Sequence, residues 1–421
     1  MKEYPINYPV SLRETPLQNL KRIFARHSER SEESRLAAVI PPSSYLFLLF
    51  SLLLFSLLPC TVLAQKQQKR DIQTEVFTEK FTVNPKDILE TNTSYTKITF
   101  QEWDKNEIEF TTTVTLKQAM EKTIDQVLNG LTITTKQLGK KVTYNSTFNY
   151  SDINKRNKLD IEGLEINLLI KIPKDIFLRV TSRYGSVKVP TVLHDFNADI
   201  LYGSLTGDNL LGNKNIIDIK YGNLNMNKLL GSKNLITLKY SKLNINHADH
   251  LSLDVKYCNV SLDEVGALKL DSKYCTLKIG TLKSLELTSG YDKISIQNSI
   301  DNLQGEIRYG TLKIGSLKYS FYLDLSYSKV NIDEVLASFT KIVILSNQSN
   351  IVLNIPKDQS FEFDYSGRYT GFKDKDVRWN YATFDASGNS LQMSGFYGNN
   401  RNSGKSVRIS ASYGSVSLFG K

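Results

Sequence analysis

Residues 183–189 read RYGSVKV, and the phrase then returns eight times: LYGSLTG (201–207), KYGNLNM (220–226), KYSKLNI (239–245), KYCNVSL (256–262), KYCTLKI (273–279), GYDKISI (290–296), RYGTLKI (308–314) and SYSKVNI (326–332). The tyrosines are Tyr184, Tyr202, Tyr221, Tyr240, Tyr257, Tyr274, Tyr291, Tyr309 and Tyr327, spaced 17 to 19 residues apart. A fixed period of this length is the mark of a solenoid, in which each repeat is one coil that cannot bury its apolar face alone. Three residues past every tyrosine stands an aliphatic side chain, from Val187 to Val330. Five past, the column is again apolar except at Gly207. A spacing of two is the strand period. Before the tyrosine, Ile219, Leu238, Val255 and Ile307 sit two back, and Ile217, Ile236, Leu253 and Leu270 four back. The parity slips by one across the pair after the tyrosine, so a corner is expected there, helped by Gly or Asn. Each coil reads as two short strands meeting at a bend and closed by a loop such as 263–267.

The fold class is therefore all-β: a single-stranded right-handed β-solenoid with coils of 17–19 residues. Its strands should be parallel and in register, about 4.8 Å apart, with the tyrosines forming a ladder at the corner. Acids stand two before the basic neighbour of a tyrosine, as in Asp218–Lys220, Asp254–Lys256, Asp271–Lys273 and Glu306–Arg308. Such exposed pairs are worth only ~0–1 kcal/mol each, and they read as a solvated face neutralised in place.

Upstream, residues 72–182 read as N-terminal coils with one short capping helix at 116–129. Thr115 would cap that helix, Leu116, Met120, Ile124 and Leu128 would line one face, and Asn129-Gly130 would end it. Residues 183–354 are the regular repeats. The tyrosine is lost at Ser349–Leu353, and 355–421 read as C-terminal coils and a cap, where the phrase returns as SYGSVSL (412–418).

The chain has 421 residues, 40% of them apolar, and a formal charge of +10. Residues 1–44 hold seven Lys/Arg and five Asp/Glu, leaving 46 basic and 38 acidic residues spread along the rest. Nucleic-acid binding needs a concentrated basic patch, so that class is excluded. Residues 45–58, YLFLLFSLLLFSLL, run into Pro59 and a small-residue ending at Ala64. This is the layout of a signal peptide over 45–64. An uncleaved anchor is the alternative, since Leu46 to Leu63 nearly reaches spanning length. Both export the repeats to the periplasm, the outer-membrane surface or the medium, and cleavage leaves no membrane span. Cys60 lacks the small neighbour of a lipoprotein signal. Residues 1–44 read as a disordered or mis-assigned N-terminal extension.

Cys258 and Cys275 occupy the same place in neighbouring coils, close enough for a disulfide. Direct neighbours on parallel strands rarely offer the right Cβ geometry, however, so a bridge and a pair of buried thiols are both open. His247, Asp249 and His250 form the one candidate metal set, without a fourth ligand in sequence. Asp263-Glu264 and Asp333-Glu334 are paired acids, but nothing in their spacing selects the separation that glycoside hydrolysis needs. No Ser-His-Asp set, P-loop or dinucleotide fingerprint is present, and no cofactor is expected.

The phrase S-Y-G-x-V/I-x-V/I, the opening FTVNP (81–85) with YTKITF (95–100) and WDKNEI (103–108), the Ile172-Pro173-Lys174 strand end and the closing SYGSVSL together resemble the exported putative-adhesin β-solenoid family of Bacteroidetes. The likeness spans roughly 72–421. It implies a right-handed β-helix outside the cytoplasm and brings no catalytic residues with it. Cys258 and Cys275, at corners where Gly or Asp is usual, and the long N-terminal extension depart from the pattern. The expected role is a non-catalytic scaffold or binding protein of the cell envelope, with a glycan or an envelope protein as partner. A β-helix polysaccharide lyase or hydrolase and an envelope-stress signalling accessory are the alternatives.

Overall fold

The computed structural model describes residues 72–117, 127–149, 163–376, 379–401 and 403–420. The chain divides into Met1–Gln68 and Lys69–Lys421, and the expectations for the 1–44 extension and the 45–64 signal lie outside the described residues. Among those described, 25 strands form one sheet, and no helix is long and apolar enough to cross a membrane.

One rung shows how the repeat makes the structure. Asn259–Lys273 is a single strand-like run. Its buried side chains are Val260, Leu262, Val265, Leu268, Leu270 and Ser272, followed by Cys275 and Leu277. Steps of two keep a side chain on the same face of a strand. The steps of three, Leu262 to Val265, Val265 to Leu268 and Ser272 to Cys275, each turn the backbone, so the rung has three corners. The loop expected at 263–267 is thus two tight corners with Val265 buried between them. Those residues stay in the ladder, with His247 opposite Glu264 and Ala248 opposite Val265. From Phe177–Arg183 upward, each segment before a tyrosine pairs in parallel with its equivalents one repeat away, and each segment after a tyrosine does likewise. The aliphatic columns merge into one continuous core. At Gly207, the exception in the column, the side chains of Met226 and Val189 occupy the space a Cβ would take.

The sharp turn falls on the tyrosine itself rather than on the pair after it. Tyr95 and the nine repeat tyrosines all have φ between 52° and 61°, a left-handed conformation costing roughly 1–2 kcal/mol for a residue with a Cβ. This conformation keeps the amide in the ladder: the Tyr240 N–H donates to Lys256 O, and the Tyr257 N–H donates to Lys273 O, both at 3.0 Å. The next residue then passes close over the preceding rung. A Cβ at Gly222 would lie 1.8 Å from the Gly203 carbonyl oxygen, so three successive rungs carry glycine there.

Both ends are closed by antiparallel strands. At the N-terminal end, Glu107–Lys117 lies between Ile72–Thr82 and Leu164–Ile172, antiparallel to each. Lys141–Phe148 runs parallel to Ile88–Ser94 and carries antiparallel Leu131–Leu138 on its other side. The capping helix expected from residue 116 does not start there. Leu116 alternates with Val114 and Ile108 as buried strand residues, 118–126 lie outside the described residues, and only 127–130 are helical, with Val127 buried against Val114, Leu116, Phe148 and Ile166. Glu109 pins this end. Hydrogen bonds from Lys171 (2.7 Å) and Lys80 (2.8 Å) bring its carboxyl down to about 2. At the other end the final strand, Ser406–Gly420, inserts between Lys341–Ile355 and Phe361–Lys375, parallel to both. Ser390–Tyr397 and Trp379–Ser387 then add outward, antiparallel. Antiparallel outer strands break the in-register template that an open end would offer to another chain.

Candidate functional site

Two surfaces run along the stack. The first is the tyrosine corner. From Tyr95 to Tyr327 ten rings lie face to face, with centroids 4.8–5.0 Å apart and planes within 1–19°. Each ring is 42–51% exposed, but its faces are covered by its neighbours, so solvent meets the ring edges and hydroxyls. The expected acid–base pairs close at Asp218–Lys220, Asp254–Lys256 and Glu306–Arg308. Lys273 instead sits over the Tyr274 ring, 5.3 Å from its centroid, a cation–π contact.

The register carries this column three rungs further. Tyr327 is followed by Gln348, because Ser326 pairs with Asn347 and Lys329 with Asn350. Gln348 is followed by Tyr413, because Asn347 pairs with Ser412 and Ser349 with Gly414. Tyr413 stacks on Tyr369 at 5.1 Å. Gln348, Tyr413 and Tyr369 share the left-handed conformation, with φ of 50°, 54° and 52°.

The second surface is a groove of about 970 Å³ on the segment before the tyrosine. One wall is the column seven residues before each corner: Lys233, His250, Ala267, Ser284, Asn302, Ser320 and Lys341. Ser252, Lys269, Glu286, Gln304 and Tyr322 form the far side, and Leu251, Leu268, Leu285, Leu303 and Phe321 lie buried beneath it. Seven rungs at the strand spacing make it about 29 Å long. Its one carboxylate, Glu286, is tied to Lys269 at 2.6 Å, and Ser320 donates to Asn302 Oδ1 at 2.6 Å. Polar side chains therefore recur at every rung, Ala267 being offset by Lys269 on the far side. The column could have been found in the sequence by aligning the residue seven before each tyrosine. The small residues there carry no hydrophobic signal and draw no attention on their own.

The candidate metal set does not assemble. His247 lies between Asp249 (3.2 Å) and Glu264 (3.3 Å), while the His250 carbonyl accepts from Asn234 Nδ2 and its side chain faces the groove. Among the described residues no group of three or more His, Cys, Asp or Glu is placed to hold a metal ion. The paired acids are likewise engaged or apart: Lys313 reaches Asp333 at 3.0 Å, and Ser316 donates to Glu334 at 3.3 Å.

Cys258 and Cys275 are free, buried thiols, so the bridge held open in the sequence is not formed. Each sulfur points inward and donates to the carbonyl two residues back, Lys256 O and Lys273 O, both at 3.2 Å. The hydrogen bond with Cys275 holds the Cys258 thiol below its ordinary value, while that contact, burial and the nearby Asp292 carboxylate push Cys275 up. Asp292 takes the same place one rung on. It is buried, and it accepts from Cys275 N (2.6 Å), Ser272 Oγ and Ser289 Oγ (both 2.7 Å) and Gly290 N (3.1 Å). A carboxylate with four donors is satisfied in place, and this column is structural.

No family model matches the chain, and no curated protein matches it. Among solved structures it is similar to a "putative cell adhesion protein" of Clostridium sporogenes, with 10% identity over 83% of this chain and 100% of that one and a TM-score of 0.18. It is also similar to a "putative adhesin" of Bacteroides fragilis (10%, 82% and 97%, TM-score 0.21) and to a "putative lipid binding protein" of Parabacteroides distasonis (11%, 82% and 96%, TM-score 0.22). TM-scores of this size leave the arrangement of the rungs to be read from this chain alone.

Proposed function

We propose that Lys69–Lys421 is a right-handed β-solenoid that works outside the cytoplasm as a non-catalytic binding protein, and that its groove holds an extended glycan. The parallel pairing of successive rungs supports the solenoid, and the right hand is the one that crossovers between parallel strands of a sheet usually take. The export reading rests on the apolar run at 45–58 and the small-residue ending at Ala64. The observation that carries the ligand class is the groove itself. It offers at least one polar side chain per rung over about 29 Å, a pattern suited to a linear polymer of polar rings.

The hydrolase form of the enzymatic reading needs two carboxyl groups about 5–9.5 Å apart across a bound sugar. The groove has one, and it is engaged by Lys269. The test is a polysaccharide panel read for both binding and cleavage, using the exported chain and its Ser284→Trp variant, which fills the middle of the groove. Retention of at least one glycan without release of reducing or unsaturated ends, weakened tenfold or more by the variant, is the expected result. Release of new ends, or binding indifferent to the variant, overturns the proposal.

A further inference from the structure

On the reading that the groove holds an extended glycan, we infer that this glycan is acidic, and that Lys214 and Lys233 together seat one of its carboxylate or sulfate groups. The groove does not stop at Lys233. The residue seven before each corner continues toward the N-terminal end as Lys214, Asp195, Phe177 and Ile88, rung by rung, and these four line a second concavity of about 300 Å³ on the same face. Lys214 and Lys233 are direct partners where the two concavities meet. The buried asparagines beside them fix their backbones. Asn215 Nδ2 donates to Asn234 Oδ1 at 2.7 Å and to Gly212 O at 3.0 Å, and Asn234 Nδ2 donates to His250 O at 2.7 Å. The two lysines therefore rise from strands held one spacing apart, about 4.8 Å, within reach of a single anion.

Charge on this face is uncompensated. Lys86, Arg179, Lys214, Lys233, Lys269 and Lys341 line the two concavities against Asp195 and Glu286. Glu286 is tied to Lys269, Arg179 reaches Glu90 at 4.0 Å, and Asp195 accepts from Lys214 N at 3.0 Å. Among the described residues, the ammonium groups of Lys214, Lys233 and Lys341 pair with no carboxylate. Like charges directly opposite on neighbouring strands are destabilising. At the tyrosine corner an acid two residues before the base offsets this, as at Asp218–Lys220 and Asp254–Lys256. In the groove the residues two beyond Lys214 and Lys233 are instead Ile216 and Leu235, both half-buried. A cation pair thus lies beside an aliphatic pair. The ligand that fits both carries an anion and an apolar face on one ring, which describes an acidic sugar. Its C–H face lies on Ile216 and Leu235 and its anion between the two ammonium groups, while Lys341 meets the polymer again at the far end of the groove.

The probes are polygalacturonate, alginate and hyaluronate, each with its carboxyl-reduced neutral form, dextran sulfate with dextran, and phosphatidylglycerol vesicles. Calorimetry at low and high salt compares the exported chain with three variants: Lys214→Gln with Lys233→Gln, Lys220→Gln with Lys256→Gln, and Ser284→Trp. The two double variants remove the same charge from different faces. We expect at least one acidic polymer to bind about tenfold or more tightly than its neutral form, and its affinity to fall as salt screens the lysines. The groove double variant should abolish that preference, the tyrosine-corner double variant should preserve it, and Ser284→Trp should weaken both forms. Equal affinity for acidic and neutral forms, blocked by Ser284→Trp, overturns the acidic ligand and leaves the groove reading standing. Binding of no polymer, acidic or neutral, overturns both. Equal loss in the two double variants would mark a general attraction to a basic protein and overturn the seat. Vesicles bound in place of any polymer, and released by the groove double variant, would move the ligand to a membrane surface and overturn it too.

Discussion

Replacing Tyr257 separates the two things a corner tyrosine does. Its ring stacks on Tyr240 at 4.8 Å and on Tyr274 at 5.0 Å, and aromatic pairs are worth about 0.5–1.5 kcal/mol each. Its backbone sits at φ 57°, which costs a residue with a Cβ roughly 1–2 kcal/mol and costs glycine almost nothing. Tyr257→Ala removes both stacks and keeps the strain, so it should destabilise by about 1–3 kcal/mol. Tyr257→Gly removes the same stacks but relieves the strain. After the entropy cost of glycine, about 0.5–1 kcal/mol, it should be the more stable of the two by up to ~1.5 kcal/mol. Urea denaturation at a common slope reads the order from the midpoints. An alanine variant as stable as the parent would refute the energetic role of the stack. A glycine variant less stable than the alanine one would refute the left-handed corner.

Four further outcomes follow from the structure. Leu277→Ala, at a fully buried position between Val260 and Ile294, should cost about 2–5 kcal/mol in the same assay. Gly222→Ala must push its Cβ away from the Gly203 carbonyl, and should lower stability by roughly 1–3 kcal/mol where an exposed strand glycine would gain. Glu109 has a depressed pKa, so its contribution is present above the ordinary value of 4.5 and is lost as pH falls through about 2; thermal melts of Glu109→Gln should therefore lack the loss that the parent shows between those values. Cys258 and Cys275 should resist a thiol reagent in the native protein and label only after denaturation, as located by peptide mapping; recovery of the two as one disulfide-linked peptide pair would contradict the free thiols.

The sequence exposed those features that repeat. Columns such as Leu224, Leu243 and Val260 reveal strand period and parallel register together, because only in-register stacking buries every copy. The bend could be placed only to within a pair of residues. Parity shows that a turn occurs, not which residue turns, and a bulky tyrosine is an unfavoured choice for left-handed backbone. The helix start at 116 was misplaced by a coincidence of spacing: Leu116 lies four before Met120, but it also lies two after Val114 in a strand that runs to Lys117, and Thr112 interrupts the alternation that marks it. The position of Ser406–Gly420 between two earlier strands was hidden because a repeat phrase fixes register, not order.

The most direct test of the stack measures how distance grows with rung number. In a Cys258→Ser, Cys275→Ser background, hydroxyls replace the thiols as at Ser241 and Ser328. Spin labels placed at Lys242 and in turn at Thr311 and Lys329, four and five rungs away by register, should give mean separations near 19 and 24 Å, one strand spacing of about 4.8 Å per rung. Labels at Asn223 and Lys329, six rungs apart, should extend the line to about 29 Å. Separations that fail to rise by one strand spacing per repeat would mean that residues 17 to 19 apart are not neighbours, and the parallel stack would be wrong.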